Sequence, residues 1–368
     1  MKFRRLKLTH FRNHAGSELY LPSRIIGIGG PNGAGKTTVL DAVHYLAVTR
    51  GLTSSFDRSY VNKDAEFFRV EGEIDMGEDI QELVVKYQSG RGKTIEVDGE
   101  KIEKLRDYIG RYPVVSMIPQ DIDLILSGSR ERRRILDLGF SQIDPDYLES
   151  LLVYRKLLRQ RNAYLKEVQR SGKFQLNLLD TYDQRMVPYA ENLHQKRRIY
   201  IDHLQTYFSE FYQKISLGGE EITLEYLSQL NEEDYLNLTA KNLEKDRIMG
   251  RSHAGIHKDD LNMTLLGDKL RDIASQGQLK SGVLALKLAI HKLIVEHSDK
   301  QPVFLIDDLF DRLDTGRANA FLGLIKGQTS GQIFITDTNI ERLKNSVAVM
   351  NEKFTIFSVL NGKVEIIA

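Results

Sequence analysis

The sequence predicts an α/β fold in which a strand, glycine-rich loop and helix unit lies beside an antiparallel sheet and is interrupted by an inserted helical lobe. Three observations carry this. The loop Gly30-Pro31-Asn32-Gly33-Ala34-Gly35-Lys36-Thr37 stands between an apolar run and a helical pattern. Long polar stretches after Pro145 place apolar residues at spacings of three and four. Strand signals then return and culminate in Val303-Phe304-Leu305-Ile306, which ends in Asp307-Asp308.

In the N-terminal part, residues 3–8 and 24–29 are short apolar runs and 67–75 alternate. Residues 83–87 and 94–97 flank Ser89-Gly90-Arg91-Gly92 as a hairpin, and Asp98-Gly99 marks a further tight turn before 100–102. Residues 36–47 form the helix, with Val39, Leu40, Val43, Leu46 and Ala47 on one face. In the middle of the chain, Leu151, Leu158 and Leu165 recur at a spacing of seven, as do Leu179, Met186, Leu193, Tyr200 and Tyr207. Two long antiparallel helices turning near Ser171-Gly172 are expected, the second kinked or interrupted at Pro188. The heptad runs are short, so a helical lobe without a long coiled coil is the better reading. These signals divide the chain into a discontinuous head, 1–135 and 250–368, and a helical lobe, 136–249.

Composition narrows the function classes. The 368 residues contain no cysteine, which excludes disulfide frameworks, thiolate metal sites and cysteine catalysis. No run approaches the roughly 18 apolar residues of a membrane span, and the N-terminus lacks the continuous apolar core of a signal peptide, so a cytoplasmic protein without a membrane partner is expected. The 52 basic and 51 acidic residues nearly cancel, but not locally. Between Leu151 and Lys173, seven basic residues face Glu167 alone, and between Gly218 and Asp246 eight acidic residues face two lysines. Such runs generate strong local fields, and they also occur as plain solvated helix faces.

The glycine loop fits G-x-x-x-x-G-K-[ST] in the context that motif requires, directly after a strand and opening a helix. Its glycines let backbone N–H groups turn toward phosphates, and the helix adds its positive end. Lys36 is expected on the β- and γ-phosphates of ATP, and Thr37, next to Thr38, on Mg²⁺. Asp307 would hold the same Mg²⁺, and Asp308 would polarise the attacking water as general base. Ala274-Ser275-Gln276-Gly277-Gln278 precedes an apolar helical run. Ser275 and the neighbouring N–H groups could hold a phosphate, or Ser275 could simply cap the helix.

Taken in this order, the three segments resemble the ATP-binding-cassette ATPases in their chromosome-maintenance, SMC-like branch, where a helical insertion separates the glycine loop from the signature and the acidic strand. Phe11-Arg12-Asn13, Glu131-Arg132-Arg133-Arg134 with Leu136-Asp137, and Gly255-Ile256-His257-Lys258-Asp259-Asp260-Leu261 are closer still to the RecF family of bacterial recombinational repair proteins. The resemblance implies an ABC-type P-loop ATPase head and an ATP-driven homodimer in which Ser275, Gly277 and Gln278 close over the γ-phosphate held by the other protomer. It implies further roles for Gln120 as a sensor of Mg²⁺ and γ-phosphate, for Asp314 in the loop that meets the partner's site, and for Arg12 on the nucleotide. Most cassette ATPases carry Glu where Asp308 stands, so the base is one methylene shorter and slow hydrolysis, suited to a switch, is expected. Residues 334–338 have no histidine where many such ATPases place one, and Thr336 or Thr338 is the candidate substitute.

The leading functional expectation is an ATPase that binds duplex and gapped DNA and, with RecO and RecR, helps place RecA on single-stranded gaps. The basic helix and Arg130 to Arg134 could meet phosphates without reading sequence, although 131–134 also reads as a structural ion-pair cluster. The alternative is a cassette ATPase that acts on a protein partner, as a transporter engine or assembly factor. A third reading, a nuclease-associated ATPase, would need a metal cluster such as His257, Asp259 and Asp260.

Overall fold

Short strands that are apolar on both faces have to lie inside a protein, covered by helices or a second sheet on each side; the computed structural model, which describes residues 1–216, 221–308, 315–360 and 362–368, is organised around such strands. The described residues begin with strands β1 (Lys2–Phe11), β2 (His14–Tyr20) and β3 (Ile25–Gly29), helix α1 (Lys36–Val48), and strands β4 (Phe67–Asp75), β5 (Ile80–Gln88), β6 (Gly92–Val97), β7 (Glu100–Lys101) and β8 (Val114–Met117). Then come α2 (Asp123–Leu126), α3 (Ser129–Ile143), α4 (Pro145–Ser171), α5 (Leu176–Ser216), β9 (Ile222–Leu227), α6 (Tyr235–Lys241) and α7 (Leu243–Met249). The chain continues with β10 (Asp260–Leu265), β11 (Asp268–Lys269), α8 (Leu270–Ile273), α9 (Gln276–His297), β12 (Val303–Ile306) and α10 (Thr315–Gln328). It closes with β13 (Ile333–Asp337), α11 (Ile340–Ala348), β14 (Phe354–Leu360) and β15 (Lys363–Ile366).

One six-stranded sheet, in the order β2-β1-β4-β5-β6-β7, is antiparallel throughout. A second, β15-β14-β3-β13-β12-β8, is parallel from β14 to β8 and carries β15 antiparallel at its edge. Alternation along β12 shows how the parallel sheet is covered: Val303 and Leu305 join the core around α1 and the antiparallel sheet, whereas Phe304 and Ile306 join the core of α9 and the helical region. The antiparallel hairpins follow their turn chemistry. Asp98 and Gly99 both have positive φ, 51° and 80°, as a tight two-residue turn requires.

Three features depart from the sequence reading. Helix α1 was expected to bury one face, yet every residue except Thr37 is buried, because the two six-stranded sheets enclose it. No strand was expected at 14–20; β2 lies at the edge of its sheet, where one side needs no partner strand and Glu18 and Tyr20 can stay exposed. Pro188 lies inside α5, which continues over 41 residues, so of the kink or interruption expected there the interruption does not occur. The backbone bond lost there is compensated by packing, since Met186, Ala190 and Leu193 are fully buried. The turn between the long helices falls where expected, with Gly172 capping α4 in the left-handed conformation at φ 72°.

Not all of the basic run on α4 faces solvent. Arg161 is completely buried and donates to Asp183 at 2.6 Å on α5, to Asp246 at 2.7 Å on α7, and to Ser252 at 2.7 Å. Burial disfavours its charge, but the two carboxylates outweigh that and hold the guanidinium above its ordinary pKa. Truncating one member of such a cluster strands the others, so Arg161→Ala should lower the stability of the full chain by about 3–5 kcal/mol. Urea denaturation followed by circular dichroism measures this; a loss below about 1 kcal/mol, the range of an exposed pair, would mean the cluster is not the tie between these helices.

Candidate nucleotide site

The parallel strand order builds the site. β13 lies between β3 and β12, with Asp337 in register with Gly29 and Ile335 with Ile306. The loop leaving β3 and the two acids ending β12 therefore reach the same edge, one strand apart, which is where ligands collect in open α/β sheets. Thr336, the residue between these registers, is fully buried and joins both halves: its Oγ1 donates to Asp307 Oδ1 at 2.7 Å and accepts from the Asp308 N–H at 2.9 Å. From the loop side, Thr37 Oγ1 donates to Asp307 at 2.9 and 3.1 Å. Lys36 Nζ donates to the Gly30 carbonyl at 2.9 Å and the Pro31 carbonyl at 3.3 Å.

Burial pushes the Asp307 carboxyl above its ordinary pKa, against the hydrogen bonds of Thr336 and Thr37 and the charge of Lys36. A buried carboxylate and a hydroxyl within 3.1 Å form an oxygen donor set that suits a hard divalent cation. A cation there would offset the cost of keeping the carboxylate charged. Asp308 adopts φ 44°, a conformation few non-glycine residues take and one often found at functional sites. An open cleft is lined by Arg12, Asn13, Asn32, Gly33, Gly35, Lys36, Thr37, Thr38 and Asp308, so the structure gathers the second half of the glycine loop, the start of α1, Arg12 and Asp308 around one space.

The remaining wall comes from the hairpin between β1 and β2, whose role the sequence reading assigned only to Arg12. The two-residue loop Arg12-Asn13 faces the glycine loop, where Asn13 accepts from Thr38 Oγ1 at 2.9 Å and donates to the Gly33 carbonyl at 3.4 Å. His14, fully buried, sets Nε2 3.3 Å from the Gly35 carbonyl and Nδ1 2.8 Å from Ser17 Oγ. Burial lowers its pKa, which keeps the imidazole neutral beside the cationic Lys36 loop. Gly35 is obligatory here: its φ is 114°, and a Cβ would stand 2.6 Å from His14 Nε2. Asn13 and His14 were within reach of the sequence, because they adjoin the Phe11-Arg12-Asn13 segment, but only the hairpin register turns them toward the loop. Arg12 itself is anchored by Asp41 at 3.1 Å and stacks over Tyr60, so its guanidinium is held at the cleft wall.

Other candidates lie elsewhere. Ser275 is the N-cap of α9 and forms a capping box with Gln278, accepting from its N–H at 3.3 Å while Gln278 Oε1 accepts from the Ser275 N–H at 2.7 Å. Gly277 lies so close to Arg317 that a Cβ would stand 1.8 Å from its Nη1. None of the three lines the cleft, and neither does Gln120, which is exposed beyond β8. Asp314 falls outside the described residues. His257, Asp259 and Asp260 are engaged in structure: His257 Nδ1 is 2.9 Å from Tyr154 Oη, Asp259 accepts from Arg197 at 2.6 Å, and Asp260 accepts from Arg132 at 2.7 Å. Burial pushes His257 down to about 3, and no metal-ligating cluster occurs among the described residues.

A parallel-sheet core with this loop, this acid pair and a helical insertion defines an ABC-type ATPase head of the SMC-like kind. The family model described as RecF/RecN/SMC N terminal domain matches residues 2–364. The DNA replication and repair protein RecF of Parabacteroides distasonis is 35% identical over 365 residues, 99% of each chain, and that of Flavobacterium johnsoniae is 32% identical over 359 residues, 98% of this chain and 100% of its own. A solved structure of the recombination mediator protein RecF with ATP, in the RecFOR pathway, superposes with a TM-score of 0.88 at 28% identity, covering 100% of this chain and 98% of that one. An SMC head bound to the C-winged helix domain of ScpA superposes at 0.58 with 14% identity, which shows the shared fold alone. The chain belongs to the RecF family of DNA replication and repair proteins.

Because Thr336 supports both acids, Thr336→Val should lower ATP turnover by roughly 10–100-fold, the usual penalty for losing a partner that orients a metal ligand. Thr336→Ser keeps the hydroxyl and should restore it. Steady-state phosphate release measures both, and a valine variant with unchanged turnover would remove Thr336 from the site.

Proposed function

We propose that the protein is an ATP-dependent DNA-binding switch of recombinational repair: as an ATP-driven homodimer it binds duplex and gapped DNA without reading sequence, and helps RecO and RecR load RecA on single-stranded gaps. The observation that carries the ATPase part is the convergence of Lys36, Thr37, Asp307, Thr336 and Asp308 at one sheet edge. The related RecF solved with ATP supports ATP as the nucleotide.

In this reading the loop 30–37 cradles the phosphates, Lys36 exchanges its carbonyl partners for the β- and γ-phosphates, and Thr38 with Arg12 and Asn13 forms the wall. Thr37 and Asp307 would hold Mg²⁺, which supplies charge neutralisation at the phosphates. Asp308 orients and polarises the attacking water, and its short side chain, set by a strained backbone, suits a slow switch. Ser275, Gly277 and Gln278 lie away from the cleft of their own chain, which fits action in trans; Gln120 and Asp314 keep the sensor and partner-contact roles that the family likeness implies.

The DNA part rests on the family and on α4. Lys156, Arg159, Lys166 and Arg170 are exposed at spacings of three, seven and four, one side of a helix, with Lys173 exposed just beyond its end, and none pairs with a carboxylate among the described residues. Such a row fits a phosphate backbone.

Anisotropy of labelled single-stranded, duplex and gapped DNA, titrated with protein plus Mg-ATP, Mg-ADP or neither at two salt concentrations, tests the reading. Tighter, salt-sensitive duplex or gapped-DNA binding with ATP is expected; flat traces in every state would overturn it. Lys36→Ala should abolish ATP-dependent dimerisation in sedimentation velocity, and a dimer that persists would sink the role of the loop. Asp308→Asn should trap the ATP-bound dimer while turnover falls at least roughly a hundredfold, the scale of a lost general base; normal turnover would remove it as the base.

A further inference from the structure

On the far side of α1 from the glycine loop, a cleft opens between the end of that helix and α3 and α4, and it shares no lining residue with the nucleotide cleft. Its interior is aliphatic, with Val48, Leu52, Ile118, Ile135, Leu138 and Leu152 among the walls. Its charged lining is unbalanced: Arg50, Arg134, Arg155 and Lys287 stand against Asp121 and Asp137. Both carboxylates are already used. Asp121 takes Lys287 at 3.0 Å, and Asp137 takes Arg155 at 2.7 Å and Arg197 at 2.8 Å.

That leaves Arg50 and Arg134 facing the opening. Arg134 has only the half-buried Glu131 at 3.5 Å, and no carboxylate among the described residues stands within ion-pair distance of Arg50. Burial, with the nearby charges of Arg155 and Arg134, lowers the Arg50 pKa against the pull of Asp57. Cations gathered over an apolar hollow in excess of their counter-charge are an arrangement that awaits an anion carrying an apolar group. The surface also continues past the cleft. Phe56 follows the rim residues Ser54 and Ser55 and is 75% exposed, a large apolar contact beyond the reach of a small molecule held inside.

We propose that this cleft is a docking site for an acidic, aliphatic segment of a partner protein: one aliphatic side chain fills the hollow, flanking carboxylates meet Arg50 and Arg134, and Phe56 packs on the adjoining chain. An apolar anchor inside a charged rim is the usual anatomy of a hot spot. The placement gives the partner access to nucleotide state. The cleft is walled by α1, which starts at the glycine loop, by Asp121, next to Gln120, and by Lys287 on α9, which Ser275 caps. This inference does not depend on the DNA-binding reading.

Selection of a displayed library of short random peptides on the full chain, counter-selected on the double variant Arg50→Glu/Arg134→Glu, tests it. Both arginines are partly exposed and lie outside the nucleotide cleft, so the variant should bind fluorescent ATP normally and unfold at the same temperature. Enriched peptides should combine Leu, Ile or Met with Asp or Glu. Synthesised peptides should bind the double variant at least roughly tenfold more weakly, and should also weaken with Leu152→Trp, which fills the hollow without changing charge. The proposal is overturned if basic or uncharged peptides are enriched, if both variants bind as well as the parent, or if no peptide is enriched over the double variant.

Discussion

The Asp307 carboxylate is the junction on which the site depends. It ends β12, receives Thr37 from the helix after β3, and receives Thr336 from β13 between them, so three separate pieces of chain meet at two oxygens. Asp307 is buried and costly to keep charged, which makes those two hydroxyls part of its stability. Thr336 also takes the Asp308 N–H, so the same hydroxyl that supports the candidate metal ligand fixes the backbone of the candidate base. Residues 334–338 contain no histidine, and of the two threonines there it is Thr336 that bonds to both acids.

Around that junction, buried guanidinium groups tie the helical region to the head. Arg197 on α5 donates to Asp137 on α3, to Asp259 before β10 and to the Ile256 carbonyl. Burial works against the Asp137 carboxylate, but Arg197 and Arg155 outweigh it and hold its pKa below the usual range. Arg132 completes the tie through Asp260. The segments 131–137 and 255–261, which carry much of the family likeness, are therefore two sides of one ionic seam. Truncating a member of such a seam would leave a buried charge unpaired. Arg155 links it to the aliphatic cleft, where Arg50 has no carboxylate partner among the described residues and Arg134 has only Glu131 at 3.5 Å.

Much of this was legible because the relevant signals are local. The glycine loop needs backbone freedom and a following helix at fixed spacing, and the strand at 303–306 announces two-sided burial by its unbroken apolar run. Ser275 shows where a local signal has two meanings. The capping box it forms with Gln278 satisfies the helix end within one chain, and nothing in the sequence separates that from phosphate binding across a dimer. The seven basic residues of 155–173 likewise looked uniform, although Arg161 is sealed inside the protein while Lys156 and Arg159 face solvent. Helical spacing gives the side of the helix, but not what packs against it.

The sequence by itself determined the elements that frame the site and the chemistry of the loop: Gly30 and Gly35 at positions that side chains cannot occupy, Lys36 and Thr37 at the helix start, two acids at a strand end, and a long helical insertion whose apolar spacing survives Pro188. Only the tertiary structure decided that β13 lies between β3 and β12, that Thr336 joins the two acids, that Asn13 and His14 brace the loop, and that Arg50, Arg134 and Arg155 surround one cleft. The reason is physical. Turn, cap and periodicity signals act over a few residues of chain, whereas strand order and ion pairing join segments up to hundreds of residues apart and are settled by which arrangement buries both faces of the parallel sheet.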